Sequence, residues 1–241
     1  MIHVETRDRV TLLTLDRPER RNAVDGATCE ELTGQVGDAC AAGARAIVLA
    51  GAGPHFCAGA DLTGVEDNDF ARSLRGALGS LRDAPVPTIA AVHGAALGAG
   101  TQLAVACDLR VAQPDARFGI PAAKLGLMVD HWTVQRLALL AGSGPARAML
   151  LACEEVSGTR AVGLGLADRS GGLEDALAWA AVMADMAPLT IAGHKLTLNR
   201  LEPQDPDPEV TEAFRRAWAS EDLQEGRAAF AEKRPPVFRG R

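Results

Sequence analysis

HFCAGADL (His55–Leu62) and HGAALGAGTQLAVACDL (His93–Leu109) are the stretches whose reading decides the fold of this chain. Each follows an apolar run, AIVLAG (Ala46–Gly51) for the first and PTIAAV (Pro87–Val92) for the second. Their small side chains suit neither an ordinary core strand nor a polar surface loop. Small residues let the backbone approach a ligand closely, and a helix start leaves N–H groups free. Two such donors aimed at one point make an oxyanion hole, which stabilises charge on a carbonyl oxygen. Taken singly, either loop reads equally as a tight strand-to-helix turn. Two in one chain make a more specific signal.

Outward from these loops the pattern alternates strands and helices. Val10–Leu15 alternates and reads as a strand, and Asp25 opens a helix that runs through Ala41. Arg45–Ala50, Thr88–Val92 and Leu109–Ala112 read as buried strands, and Gly100–Ala106 as a helix. Phe70–Arg82 places Leu74, Leu78 and Leu81 on one helical face. Thr63–Asp69 is polar and acidic and is expected to be a mobile loop. From Asp130 onward the pattern is mostly helical. Ser143 starts one helix with Pro145 in its first turn, and Pro188 and Pro203 punctuate later ones. The expectation is an α/β core with an α-helical C-terminal part. No clean internal repeat is visible.

Composition narrows the function classes. The chain has 241 residues, 47% of them hydrophobic, enough for one large core. A net charge of −6 gives no reason to expect nucleic acid as a partner. Five cysteines, without a C-x-x-C pair, argue against a disulfide framework or a zinc site and fit a reducing cytoplasm. Residues 1–7 lack the apolar run of a signal peptide. Residues 86–105 are apolar, but His93, Gln102, Pro87 and several glycines make a buried strand–loop–helix the better reading than a membrane span. Cys57, beside the first loop, has no evident activating partner and reads as a small buried residue. The fingerprints of dinucleotide sites, phosphate loops, zinc proteases and nucleophile elbows are all absent.

The paired loops do not stand alone. DRPERRNA (Asp16–Ala23), FCAGADL (Phe56–Leu62), Gly98-Ala-Gly100 with Cys107-Asp-Leu109, FGIP (Phe118–Pro121), QRL (Gln135–Leu137) and FAEKRP (Phe230–Pro235) follow in order. Together they resemble the crotonase, or enoyl-CoA hydratase/isomerase, family along about the whole chain. That resemblance implies a spiral of ββα units over residues 1–190 and a helical trimerisation region over 191–241. It implies a homotrimer or dimer of trimers, a coenzyme A thioester (acyl-CoA or enoyl-CoA) as substrate or ligand, and neither cofactor nor metal.

Carried over by position, the oxyanion donors are the backbone N–H groups of Ala60 and Ala99, where the second is more often glycine. Arg20, Arg21 and Ala23 match the nucleotide-lining segment, and Ala58, Asp61 and Leu62 the adenine and pantetheine side of the first loop. Phe230 and Lys233 match a C-terminal pair over the adenine and its phosphates. For the arginines a solvated loop, and for Phe230 plain helix packing, are the other readings.

The chain departs from the family's pattern where hydratases carry two glutamates. Those positions are Gln102 and Ala122. Neither titrates, so neither can do general acid–base work. One carboxylate remains nearby. Asp130 matches a position where dienoyl-CoA isomerases use an aspartate for proton transfer and an aromatic acyl-CoA dehalogenase uses one as nucleophile. It reads equally as the N-cap of the helix that follows. His131 reads as an exposed neighbour, and Trp132 as lining the acyl pocket or as core. Loss of both glutamates, with the D-x-W segment, Arg147–Leu150 and the Glu232–Pro236 tail, looks like a mycobacterial hydratase-like protein. That protein is regarded as an acyl-CoA binder or carrier serving fatty-acid elongation. The resulting expectation is a non-hydrating acyl-CoA binder. The alternatives are an isomerase-type enzyme using Asp130 and an active enoyl-CoA hydratase.

Overall fold

A computed structural model describes residues 1–61, 68–201 and 207–240. β1 (Ile2–Arg7) and β2 (Val10–Leu15) form an antiparallel pair, and α1 (Gly26–Ala41) follows. Asp25 caps α1, accepting from the Thr28 N–H at 2.8 Å. β3 (Ala46–Gly51) leads through the first small-residue loop to α2 (Asn68–Asp83). β4 (Thr88–Val92) and the short β5 (Ala95–Leu97) lead into α3 (Ala99–Ala106). β6 (Leu109–Ala112), β7 (Arg117–Gly119) and a tight turn at Pro121–Leu125 precede α4 (His131–Ala141) and α5 (Ser143–Leu151). Then come β8 (Val156–Ser157), α6 (Gly158–Leu164), β9 (Arg169–Ser170) and α7 (Leu173–Ala184). The C-terminal helices are α8 (Pro188–Asn199), α9 (Pro208–Trp218) and α10 (Glu221–Glu232).

The main sheet runs β1-β2-β3-β4-β6-β9, parallel except at β1. A second sheet, β5-β7-β8, is extended by single bridges at Cys57–Ala96 and Val24–Ala60. Each turn of chain therefore places one strand in the main sheet, one short strand or bridge in the second, and then a helix. This is the spiral of ββα units. Its repeat hides in the sequence because the second member of each pair is three residues or fewer.

Period-two side-chain direction gives the main sheet two buried faces. Ile47 and Leu49 face the cluster under α1, α2 and α3. Val48 joins Val10, Leu12, Ile89 and Val111 against Ala176, Leu177 and Ala180 of α7. Each such aliphatic side chain contributes roughly 1.5–3 kcal/mol by leaving water. Strands buried on both faces read as apolar runs, which is why β3 and β4 were legible.

Two contacts tie the C-terminal helices to the core. Lys195 of α8 is buried, and its Nζ donates to Asp108 Oδ2 at 2.7 Å and to the carbonyls of Val86 and Leu81. On α10, a Cβ at Gly226 would lie 2.4 Å from the Leu125 carbonyl oxygen, so only glycine lets this helix settle on the turn below it.

Some expectations are corrected. Asn68 and Asp69 open α2 rather than ending a loop; residues 63–67 and Pro203 lie outside the described residues. β1 was not anticipated: only Ile2 of its six residues is buried, so no alternation signals it. Residues 86–105 divide among β4, β5 and α3. Among the described residues no single helix is long and apolar enough to cross a membrane.

Candidate functional site

The site is assembled by one buried asparagine and one arginine. Asn22 adopts φ 56° and is 1% exposed. Its Nδ2 donates to the carbonyls of Ala52 and His55 at 2.8 and 2.7 Å, and its Oδ1 accepts from the Arg17 N–H. The loop after β2 is thereby fixed against the loop after β3. Arg17 donates to Asp25 Oδ2, Asp61 Oδ2 and the Ala23 carbonyl. Hydrogen bonds from Thr28 and the Arg17 charge, working against partial burial, hold the Asp25 carboxyl below its usual range.

These constraints orient the first oxyanion candidate. Val24 donates to the Gly59 carbonyl and accepts from the Asp61 N–H. In a parallel bridge of this kind the middle residue, Ala60, turns its own N–H to the other side. Ala99 is the first residue of α3, so its N–H has no acceptor within the helix. The two loops touch: a Cβ at Gly98 would lie 3.8 Å from the Gly59 Cα. A Cβ at Gly100 would lie 2.0 Å from the Cys57 carbonyl oxygen, a contact only glycine permits. Ala99 is 4% exposed, so its methyl packs into the core rather than crowding the ligand side.

Both loops open onto a cleft of about 960 Å³. Phe70, Leu74 and Leu78 of α2 form one apolar wall, and Leu127, Met128 and Val129 another. Phe214 and Trp218 of α9 cover it, stacked with centroids 5.7 Å apart. Trp218 Nε1 donates to the Met128 carbonyl at 2.8 Å, which fixes the ring in place. Arg20, Arg21, Ala23, Ala58, Ala60, Asp61, Ala99, Gln102, Ala122, Asp130 and Phe230 all line this one space.

Gln102, Asp130 and Thr133 form a closed network inside it. Gln102 Nε2 donates to Asp130 Oδ2 and to Thr133 Oγ1, each at 2.9 Å. Thr133 Oγ1 donates to Asp130 Oδ2 at 2.6 Å, and the Thr133 N–H donates to Oδ1 at 3.0 Å. Asp130 is thus the N-cap of α4 and a cleft residue at once. The amide orientation follows from chemistry, because an ionised carboxylate only accepts and so must face the NH₂ group. Nε2 thus shares its donation between two neighbouring oxygens, Asp130 Oδ2 and Thr133 Oγ1.

Other expected residues lie elsewhere. Trp132 does not line the cleft; it is half-buried against the core, with the Arg82 guanidinium 5.7 Å from its ring centroid. Lys233 caps the end of α10 at φ 55° and does not line the cleft either. Phe230 lines it while 64% exposed. Asp61 is engaged with Arg17, and Leu62 lies outside the described residues. Burial pushes the Cys57 thiol up to about 12, so it is no nucleophile. Asn22, Thr133, Trp218 and Arg227 were missed as site residues. Only Thr133 had a local signal, the Asp-x-x-Thr spacing of a capped helix start.

Residues 5–241 match the model of the enoyl-CoA hydratase/isomerase family. This chain belongs to that family. Its relatives include the protein named "Probable enoyl-CoA hydratase echA6" of Mycobacterium tuberculosis, 45% identical with all of both chains covered. The 2,3-dehydroadipyl-CoA hydratase of Escherichia coli is 36% identical over 99% of this chain and 98% of its own. Among solved structures, a methylmalonyl CoA decarboxylase superposes with a TM-score of 0.91 over 100% of this chain and 98% of its own. At 24% identity that last likeness speaks for the fold alone. Enoyl-CoA hydratase/isomerase members act on coenzyme A thioesters.

Proposed function

We propose that this family member binds long-chain acyl-CoA thioesters and holds them without hydrating them. The carrying observation is the locked Gln102 amide. At the position of a hydratase glutamate stands a side chain that cannot titrate and whose NH₂ is committed to Asp130 and Thr133. Ala122, at the second position, lines the cleft without any polar group. The remaining features favour retention of a thioester. Ala60 and Ala99 would offer two N–H donors to its carbonyl oxygen, a kind of contact whose loss costs about 3 kcal/mol when it serves catalysis. The aliphatic and aromatic walls suit an acyl chain. Arg20 and Arg21 are exposed at the cleft, suited to phosphates. The thioester is itself the ligand, and no further cofactor is required.

The chain would serve fatty-acid metabolism in the cytoplasm, as a homotrimer or dimer of trimers able to hand acyl groups to elongation enzymes. Leu189, Leu196 and Leu201, at the C-terminal end of the fold, are 87%, 56% and 75% exposed, in keeping with a face that self-association would cover.

The test pairs direct acyl-CoA binding with hydration of crotonyl-CoA and longer enoyl-CoA thioesters. Micromolar binding without turnover is expected; robust hydration defeats the reading. A second reading is favoured by one observation, that Asp130 lies in the cleft beside Gln102. It makes Asp130 a proton carrier for isomerisation. Three donors already occupy the roughly four acceptor sites of this carboxylate, which leaves about one lone pair to face a ligand. Any isomerisation that survives Asp130→Asn removes this alternative.

A further inference from the structure

Arg227 is a half-buried cation whose Nε has no acceptor. It lies on α10 next to Gly226, which seats the helix on the turn at Leu125, and it lines the cleft together with Ala228, Phe230 and Ala231. Its Nε is shut away from solvent and donates no hydrogen bond. Among the described residues no carboxylate pairs with its guanidinium.

The fully buried cations among the described residues are provided for. Arg110, wholly shielded from solvent, donates to the Leu166 and Cys107 carbonyls at 2.6 and 2.9 Å and to Asp168 at 3.0 Å. Lys195 has Asp108 and two carbonyls. A polar group taken from water without a partner is costly, and a charged one more so.

Two of the three acids that line the same cleft are already engaged, and the third, Glu19, makes no ion pair with Arg227. Asp61 is bound to Arg17, and Asp130 is held by Thr133 and Gln102. Among the described residues none supplies an acceptor for the Arg227 Nε, and the cleft is where one from outside the chain would arrive.

We propose that Arg227 receives an anionic group, a carboxylate or a phosphate, carried by the thioester bound in the cleft. The inference rests on the reading of the cleft as a thioester site. Chemically the fit is direct, because the guanidinium fork presents paired donors to two oxygens of either anion. Two parts of such a ligand supply that chemistry: a carboxylate at the far end of an acyl chain, or the phosphates of coenzyme A.

Titration calorimetry on the full chain tests it, with wild type, Arg227→Met and Arg227→Lys. The probes are hexanoyl-CoA, adipyl-CoA, and the hexanoyl and adipyl thioesters of N-acetylcysteamine, which carry no phosphate. Arg227→Met is expected to weaken anion-bearing ligands about tenfold or more, the range of a charged hydrogen bond. Arg227→Lys, which keeps the charge but not the fork, should recover part of the loss. Loss confined to the two adipyl thioesters assigns the carboxylate. Loss with both coenzyme A thioesters, and with neither N-acetylcysteamine thioester, assigns the phosphate.

Equal affinities for wild type and Arg227→Met overturn the proposal. So does an equal loss for the uncharged hexanoyl-N-acetylcysteamine, which would mark a packing role. Thermal unfolding without ligand separates the two independently. Removing an uncompensated cation should leave Tm unchanged or raise it, whereas a packing role lowers it. Wild type binding none of the four probes defeats the thioester reading itself and this inference with it. Wild type binding with an indifferent variant defeats the inference alone.

Discussion

Gln102 Nε2 lies 2.9 Å from Asp130 Oδ2, and this bond joins the first turn of α3 to the N-cap of α4. It ties together the two sides of the site that carry its chemistry. A glutamate at position 102 would set a second carboxylate against Asp130, whereas a glutamine donates to it. The exchange of one atom turns a candidate proton carrier into a strut, with Thr133 completing the closed network.

Thr133 is fully buried, so removing its hydroxyl takes one acceptor from the Gln102 NH₂ and one donor from Asp130 Oδ2 where water cannot replace them. Thr133→Val should cost about 1–3 kcal/mol in urea unfolding. Thr133→Ser, which keeps the hydroxyl, should restore most of it. A valine variant as stable as wild type would show that the network does not hold α3 to α4.

Gln102→Glu should be destabilising in a pH-dependent way. Two carboxylates at this separation raise one another's proton affinity in the folded state. A carboxyl whose folded pKa is raised is fully tolerated below its unfolded value and loses stability as pH rises. Urea midpoints measured upward from about pH 4 should therefore fall relative to wild type. Restoring both glutamates, Gln102→Glu with Ala122→Glu, should yield partial hydratase activity, and adding Asp130→Asn should raise it further by removing the repulsion. Greater activity in the double than in the triple variant would contradict this account.

The Cys57 and Cys107 thiols are both pushed up to about 12 by burial. Iodoacetamide at pH 8 should leave both intact in the native protein while modifying the partly exposed Cys153, as read by peptide mass spectrometry. Alkylation of Cys57 without unfolding would expose an opening of the first loop that this packing does not allow.

The C-terminal tail is clasped to α10 by acids. The Arg234 hydrogen bond, helped by the Val237 N–H, lowers the Glu225 carboxyl from 4.5 to about 2. A depressed folded pKa contributes stability above the unfolded value and loses it as pH falls. Tail amides should lose protection, relative to their intrinsic exchange rates, as pH falls from about 4.5 towards 2. At neutral pH, Glu225→Gln should show the same loosening. Unchanged exchange in that variant would deny the clasp.

The sequence was legible where a property is local. The Val10–Leu15 strand, the helix from Asp25, and the β4 and β6 strands emerged with correct or nearly correct bounds, because burial on both faces or a capping side chain marks them in the chain itself. The two small-residue loops and the substituted glutamate positions were equally visible. β5, β7, β8 and β9 were not, since strands of two or three residues carry no period. Asp130 read as either cap or site residue, and it is both. Its side chain caps α4 through a residue three positions on, a local relation. It meets Gln102 through a residue 28 positions back, which no local pattern reports.

By itself the sequence determined the paired small-residue loops and the ordered motifs that carry the family resemblance, because these are matters of residue identity and spacing; the reading of Gln102 and Ala122 as replaced glutamates comes from that resemblance. Only the tertiary structure decided what the replacements do. It tied Gln102 to Asp130 and Thr133, engaged Asp61 with Arg17, took Trp132 out of the cleft wall and left the Arg227 Nε without an acceptor. Each of these depends on side chains from distant segments meeting where water is at least partly shut out. There a hydrogen bond made or missing has consequences that neither residue reveals in the chain alone.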